Sequence, residues 1–328
     1  MRHKPEGGPS PRRPPARIRV HKPPADPTEL SDMSRRAVLR RTVREFRHDG
    51  LADWAAALTY YAVLSLFPTL LALVSVVGLI GDSATEPLLR NLQDFAPGPG
   101  RDMATRIVST LQDNQRGSGF FGLLGLAAGL WSASAYVGAF MRAANAVFDM
   151  DEGRPLWKAL PIRVGLTAGI VVGLATTALA TLFTGEVADR LGALVGLGHT
   201  GVAIWVVVKW PLLLVLVTVL LGFLYWAAPN VRQPGLRWVV PGVALAVLLW
   251  ALASAGFAAY VSLFATYNQT YGALAGVVVF LVWLWLTNMI VLVGLELNAE
   301  LIRERAILSG AVVDHQPYVE PRDSTKLT

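Results

Sequence analysis

Long stretches without a charged side chain dominate the hydrophobic pattern of this chain. A bilayer core of about 30 Å requires about 20 helical residues to cross it. Stretches of at least that length without Asp, Glu, Lys or Arg cover residues 54–81, 117–141 and 164–185. Two more, 191–208 and 210–231, are separated only by Lys209 and predict one helix near 201–228. The pattern therefore predicts four membrane-spanning helices before residue 230.

The longest uncharged stretch contains 58 residues, from Trp238 to Leu295, which is too long for one span. Its one strongly polar cluster, Thr266–Gly272, lies at the middle and divides it into two helices. The predicted fold is all-α: a polytopic membrane protein whose membrane domain, residues 51–305, is a bundle of six transmembrane helices. The predicted spans are about 53–82, 118–142, 161–185, 201–228, 238–265 and 272–302.

The segments outside the spans are rich in basic residues. Residues 1–30 combine eight prolines with arginine and lysine and have few apolar side chains, which is typical of a disordered tail. Residues 31–50 place Val38 or Leu39, Val43 and Phe46 at roughly helical spacing among six arginines. This pattern predicts a basic amphipathic juxtamembrane helix on an anionic leaflet; a solvated extension of the first span is the alternative. Residues 306–328 form the predicted C-terminal tail.

The composition agrees with a membrane domain. Hydrophobic residues make up 53% of the 328 residues and charged residues only 16%, against about 25% charged in soluble domains. Cysteine is absent, which excludes disulfides, thiolate metal sites and a cysteine nucleophile. The first long apolar run starts near Trp54, so we expect the first span to act as an uncleaved signal anchor.

The distribution of Lys and Arg predicts the orientation. With six spans, both termini lie on one side. The segments on that side contain 23 of the 29 Lys and Arg residues, and the segments on the other side contain five. Because positive charges near span ends stay in the cytoplasm, we expect both termini to be cytoplasmic. The net charge of +6 then reflects membrane topology and not a nucleic-acid partner.

Several segments resemble the YihY/BrkB family of membrane proteins. They are the first span at Ala55–Pro68, the second span at Leu130–Ser134 with Arg142 and Asn145, the loop at Arg154–Lys158, and the last two spans at Tyr260–Ser262, Tyr267–Leu274 and Gly294–Leu301. The resemblance runs from about 40 to about 305 and implies a six-helix protein of the bacterial inner (plasma) membrane. It implies no established activity, because members have carried a ribonuclease BN label, a serum-resistance label and suggestions of transport.

Enzymatic chemistry finds little support in the residues. The five histidines are scattered along the chain, and neither His-x-His nor His-Glu-x-x-His occurs. Metal-dependent hydrolysis of RNA would need clustered ligands, so we expect no metal, no cofactor, no catalytic residue and no nuclease activity. A Walker-type glycine loop is also absent. We therefore expect no ATPase and no enzyme.

Polar residues inside the predicted spans are the candidates for a site, because each costs free energy in hydrocarbon. We expect a polar pathway between the first, second and last two helices, with ordinary interhelical hydrogen bonding as the alternative. Arg142 and Glu296 are predicted at similar depth, which would allow them to pair across helices; the sequence does not decide whether the pair forms. The candidate pathway residues are Tyr61, Ser65, Ser134, Arg142, Asn145, Asn268, Gln269, Tyr271, Asn288 and Glu296.

Gly165, Gly169 and Gly173 repeat every four residues and predict a smooth stripe on the third span for close helix packing.

Two classes of function follow from these observations. The first is a transporter or flippase-like protein for an unknown polar or amphipathic solute, without its own ATPase. The second is a non-transporting envelope protein that organises partners or lipids. A transporter requires the polar residues to converge between helices, whereas an organiser permits them to be dispersed and relies on the basic helix and tails.

Overall fold

The computed structural model describes residues 24–78, 119–182, 199–263, 268–310 and 318–327. Over these ranges the chain is helical, apart from two 3-10 turns, short connections and one isolated bridge between Val231 and Pro321. Most of the predicted N-terminal tail lies outside the described residues. The α-helices are α1 (Asp32–His48), α2 (Leu51–Gly78), α3 (Gly119–Val147), α4 (Leu156–Leu182), α5 (His199–Ala227), α6 (Val240–Leu263) and α7 (Asn268–Leu308).

Four segments, which lie wholly or mainly in helices α4 to α7, are long and apolar enough to cross a membrane. These segments are Leu156–Thr181, Ile204–Ala227, Leu236–Tyr260 and Gly276–Leu308. Helices α2 and α3, of 28 and 29 residues, cover most of the first two predicted spans. That these two also cross, and that the spans number six, stays a prediction.

Apolar side chains cover much of the outer surface of α5 and α6. Val207, Val215 and Leu252 are among the large hydrophobic residues of this surface that stay exposed. A water-soluble monomer rarely exposes contiguous apolar area beyond a few hundred Å². The helices also lack a polar face, because their sequences are apolar all round, which is typical of membrane spans. The exposed surface is therefore suited to lipid.

The core of the bundle is built around α2 and α7. Helix α2 packs against α3, α7 and α4, while α7 packs against α6, α2 and α1. Helices α6 and α7 approach each other closely, since a Cβ atom on Gly242 would lie 2.1 Å from the carbonyl oxygen of Gly294. The amide of Gly242 donates to Asn298 Oδ1 at 2.9 Å. Here two glycines allow the two backbones to meet.

The glycine stripe on α4 stays a prediction, and among the described residues only one of its three members has a close neighbour. A Cβ atom on Gly165 or Gly169 would meet no atom within 4 Å. Gly173 does face a neighbour, since a Cβ atom there would lie 2.3 Å from Cδ1 of Leu220 on α5. A close backbone contact between helices occurs at Gly242 and Gly294, which join α6 and α7.

Helix α1, which carries six arginines, also packs against α7 and α2 of the bundle. The side chain of Ser31 caps its N-terminus by accepting from the amide of Ser34 at 3.2 Å. Val38 is 1% exposed and belongs to the core, whereas Leu39 and Val43 remain exposed. The apolar residues therefore occupy two faces instead of the single predicted stripe, and whether the exposed face binds lipid stays a prediction.

The C-terminal segment 318–327 packs on the loops at the same end of the bundle. The amide of Arg322 donates to the carbonyl of Asn230, and the amide of Lys326 donates to the carbonyl of Gly153. Lys158 forms an ion pair with Asp323. The predicted tail thus contains a docked segment, and α7 extends to Leu308, beyond the predicted end of the last span at 302.

Candidate functional site

A cavity of about 330 Å³ opens at the end of the bundle where α1 docks, called here the α1 end. Three elements form its wall: the last turn of α1 with its cap, the C-terminal end of α3 with the following residues, and the last third of α7. A tyrosine of the C-terminal segment closes one side. The lining residues are Arg44, Glu45, His48, Asp49, Val147, Asp149, Glu296, Glu300, Arg303 and Tyr318.

Acidic residues outnumber basic ones in this cavity. Part of the negative charge is compensated, because Glu300 accepts from Arg41 Nε at 2.5 Å and contacts Arg303 at 3.3 Å. Glu45 pairs with the exposed Arg44 at 2.7 Å. Of these ion pairs, the contact between Arg41 and Glu300 joins α1 to α7, whereas the other two lie within one helix each.

Glu296 lies at the floor of the cavity. It is 1% exposed, and its Oε2 atom has no hydrogen-bond partner among the described residues. A buried carboxylate oxygen without a partner costs free energy that a fold normally avoids. The orphaned oxygen is therefore the strongest indication of a ligand or of a proton at this position.

The two aspartates of the cavity rim, Asp49 and Asp149, lie close to other acids. Burial raises the pKa of Asp49, and the neighbouring Asp149 and Glu45 raise it further, against a hydrogen bond with His48. Burial also raises the pKa of Asp149, with Arg303 opposing. Carboxylates that repel one another in a partly desolvated pocket favour the arrival of a cation or a proton.

Arg142 and Glu296, for which similar depth would allow an ion pair, contact different partners in the structure. The guanidinium of Arg142 lies over the ring of Tyr61, 5.4 Å from its centroid, and donates to the carbonyl of Gly138 at 3.1 Å. Depth alone does not determine helix rotation, and the structure turns Arg142 toward α2 while Glu296 faces the cavity.

A second polar cluster lies inside the bundle around Asn288 of α7. Tyr136 Oη donates to Asn288 Oδ1 at 2.8 Å, and Asn288 Nδ2 donates to Thr59 Oγ1 at 3.1 Å. The cluster joins α2, α3 and α7. The sequence indicates Asn288 but not its two partners, because hydroxyl groups are common in apolar helices and carry little signal.

Two hydroxyl groups without a hydrogen-bond partner are close in sequence to members of the inner cluster, on helices α2 and α7. Ser65 Oγ and Thr287 Oγ1 are buried without a hydrogen-bond partner among the described residues. In contrast, Ser134 Oγ donates to the carbonyl of Trp131 at 2.6 Å, so its hydroxyl is used within its own helix. Ser65 and Thr287 thus retain hydrogen-bonding capacity inside the bundle.

Asn145 belongs to a structural cluster at the α1 end. Its Nδ2 donates to Glu152 at 2.9 Å, and its Oδ1 accepts from the amide of Asn230 at 2.7 Å. Arg154, fully buried, donates to Glu152 and to the carbonyls of Ala227 and Ala228 at the end of α5. Asn145 therefore fixes loops and does not line the inner cluster.

The remaining candidates lie at the opposite end of α7. Asn268, Gln269 and Tyr271 are in its first turn, and their side chains lie outside the described residues. The structure thus brings together Tyr61 with Arg142, places Asn288 in the inner cluster and places Glu296 in the cavity.

Comparison with known proteins gives the family. The Virulence factor BrkB family matches residues 42–313. The ribonuclease-like protein YfkH of Bacillus subtilis is 29% identical over 83% of this chain and 95% of its own length. A UPF0761 membrane protein of Alkalilimnicola ehrlichii is 31% identical over 86% of this chain, and one of Alcanivorax borkumensis is 28% identical over 85%. The chain spans 60% and 63% of the lengths of these two relatives. No solved structure matches it significantly.

Proposed function

This chain belongs to the BrkB family of membrane proteins, and we propose that it is a carrier or flippase-like protein for a polar or amphipathic solute. The carrier has no ATPase of its own. The observation that supports it best is the orphaned carboxylate of Glu296 at the floor of an open cavity. A purely structural protein gains nothing from an unpaired buried acid, whereas a carrier needs groups that bind and release a charged partner.

The inner cluster supports a continuation of the route into the bundle. Asn288 lies eight residues before Glu296 on α7, which corresponds to about 12 Å along the helix axis. On the same helices α2 and α7, the buried hydroxyl groups of Ser65 and Thr287 have no hydrogen-bond partner among the described residues and supply further polar positions. A polar solute that leaves the cavity would find hydrogen-bond partners at this depth.

The proposal includes an orientation. The α1 end carries the docked basic helix and the loops with most of the Lys and Arg residues of the described chain. The positive-inside tendency places such segments in the cytoplasm. In the proposed orientation the cavity opens to the cytoplasm, both termini are cytoplasmic, and the protein lies in the inner membrane.

The exposed face of α1 supports the second candidate, an organiser of lipids or partners. Met33, Leu39 and Val43 are exposed there together with Arg36 and Arg40. Apolar and basic side chains on one surface favour contact with an anionic leaflet, and each basic residue contributes about 1 kcal/mol near such a surface. An organiser would use this face and would not need the orphaned Glu296.

A reconstitution experiment separates the two candidates. The purified chain would be placed in vesicles of phosphatidylethanolamine and phosphatidylglycerol with trace fluorescent phosphatidylglycerol, and dithionite quenching would report lipid exchange between leaflets. Isosmotic swelling in small polar solutes would report solute movement in the same vesicles. The carrier proposal expects one of these rates to exceed that of protein-free vesicles and to fall at least tenfold in Glu296→Gln.

The matched control is Glu320→Gln, because Glu320 is exposed and pairs only with the exposed Arg232 in the described chain. This variant should keep the wild-type rate. Rates equal to those of protein-free vesicles in both arms would contradict the carrier proposal and favour the organiser. Loss of folded Glu296→Gln protein on size-exclusion chromatography would instead assign Glu296 a structural role.

A further inference from the structure

Three metal-binding side chains converge at the end of α1. Glu45, His48 and Asp49 occupy positions i, i+3 and i+4, so they share one face where the helix ends. One potential ligand atom from each lies within 4.8 Å of the other two. His48 Nδ1 is 3.6 Å from Glu45 Oε2 and 3.2 Å from Asp49 Oδ1.

These separations fit a shared metal ion. Nitrogen and oxygen ligands lie about 2.1 Å from a divalent transition-metal ion, so two ligands at a tetrahedral angle are about 3.4 Å apart. The two measured separations lie on either side of that value. The Glu-x-x-His spacing also places ligands on one helix face in metal-binding helix bundles.

A second, independent observation points to a cation. Glu296 of α7 lines the same cavity, is almost completely buried, and keeps an oxygen without a partner among the described residues. It belongs to a different helix from the three ligands. Its unpartnered oxygen adds a buried acid at the floor of the cavity to the acids at the rim.

Backbone dipoles add to the negative potential. The C-terminal ends of α1 and α3 both border the cavity, through Asp49 and Val147. Helix C-termini carry partial negative charge and favour cations. The cationic side chains that line the cavity are Arg44 and Arg303, which contact Glu45 and Glu300 respectively. Neither forms a hydrogen bond with the orphaned oxygen of Glu296.

We propose that Glu45, His48 and Asp49 bind a divalent transition-metal ion of the Zn²⁺ or Mn²⁺ class at this rim, with Glu296 balancing its charge from the floor. Imidazole combined with carboxylates favours such ions over Mg²⁺ or Ca²⁺, which prefer oxygen ligands alone. The imidazole of His48 is 81% exposed, so the ion enters from solvent without opening the bundle. The site does not depend on whether the chain transports a solute.

Cobalt(II) is the probe for the test, because its visible d–d absorption reports nitrogen and oxygen coordination directly. The full-length protein, freed of any affinity tag, would be titrated in detergent and then challenged with Zn²⁺. We expect one equivalent of Co²⁺ per chain to bind saturably at micromolar concentration and to be displaced by Zn²⁺. Absence of saturable absorbance up to millimolar Co²⁺ would overturn the proposal.

Variants locate the ion. His48→Ala and Asp49→Asn should each weaken Co²⁺ binding at least tenfold, whereas Asp32→Asn, which changes an exposed acid at the other end of α1, should leave it unchanged. Equal binding in the His48 and Asp49 variants would place the ion elsewhere and refute the site. Glu296→Gln should weaken affinity several-fold without altering the absorption spectrum. An unchanged affinity in that variant would refute the charge-balancing role.

Discussion

Replacing Arg41 with alanine should release α1 from the bundle. Arg41 Nε donates to Glu300 at 2.5 Å, and Arg41 Nη2 donates to Glu304 at 2.6 Å. Burial lowers the pKa of Arg41, but its hydrogen bonds to the two glutamates outweigh this effect and raise the pKa above the ordinary value. The guanidinium therefore stays charged, and the variant would leave two acids on α7 without this partner.

The magnitude follows from burial. The Glu300 and Glu304 side chains are 2% and 8% exposed. Breaking a buried ion pair by removing one partner costs about 3–5 kcal/mol. Because Arg303 still contacts Glu300 at 3.3 Å, the lower bound of about 3 kcal/mol applies, which corresponds to roughly a hundredfold change in the docking equilibrium.

A single introduced thiol measures this equilibrium, because the chain contains no cysteine. Val38→Cys places the thiol in the buried face of α1, where it reacts only after undocking. Its labelling rate should rise roughly a hundredfold when Arg41→Ala is added, and it should stay within twofold when the exposed Arg40 is replaced instead. An unchanged rate in the Arg41 variant would show that other contacts hold α1 and would refute the electrostatic explanation.

Three other predictions test the packing and the loops. Gly242→Ala should lower the thermal stability in detergent sharply, because its Cβ atom would clash with a backbone carbonyl of α7. The control Gly165→Ala places its Cβ atom in open space among the described residues and should be neutral or slightly stabilising. Arg154→Ala should cost about 3 kcal/mol, because it leaves Glu152 and the last carbonyls of α5 without their buried donor; equal melting temperatures of variant and wild type would contradict this. Hydrogen bonds from a lysine and from a threonine hold the pKa of Asp323 well below its ordinary value of 3.8. Its contribution to docking of segment 318–327 is therefore fully present above that value and is lost as the pH falls through the lowered pKa, so hydrogen exchange should show the segment equally protected at pH 7 and pH 5.

Hydrophobic patterning predicted the helices well because each long apolar run has few alternatives to a helix. Residues 201–228 and 238–265 lie close to the bounds of α5 and α6. The prediction was less accurate at the end of α7, which continues as a helix to Leu308 although its last turns are charged. Charged residues end the part of a helix that can lie in the membrane, but they do not end the helix itself. The hydrophobic pattern therefore does not distinguish the end of the span from the end of the helix.

Tertiary contacts explain what the sequence did not reveal about α1. Its six arginines look alike in sequence, yet only the position of α7 selects Arg41 as the one that faces Glu300 and Glu304. Likewise, Leu39 resembles Val38 in every local property, and docking buries one and exposes the other. Which side chains of α1 face the bundle depends on the rotation of the helix about its axis, and the local sequence of an arginine-rich helix does not determine that rotation.

The candidate site was predicted in part for the same reason. The cost of an acid in an apolar helix identified Glu296 as a candidate from the sequence, and the structure places it at the cavity. Its surroundings in the cavity come from α1 and from the end of α3, far away in sequence, so their contribution was not predicted. The inner cluster was likewise recognised only at Asn288, because Tyr136 and Thr59 are ordinary residues until folding brings them to it.

Access of water to the inner positions tests the carrier proposal most directly. Ser65→Cys would be introduced into the cysteine-free chain, with Ala139→Cys in the buried core of α3 as control. Both would be treated in native membranes with a charged, membrane-impermeant thiosulfonate reagent. The carrier proposal predicts labelling at Ser65→Cys at least tenfold faster than at Ala139→Cys. Equal, negligible labelling at the two positions would show a dry, sealed bundle and contradict the polar route.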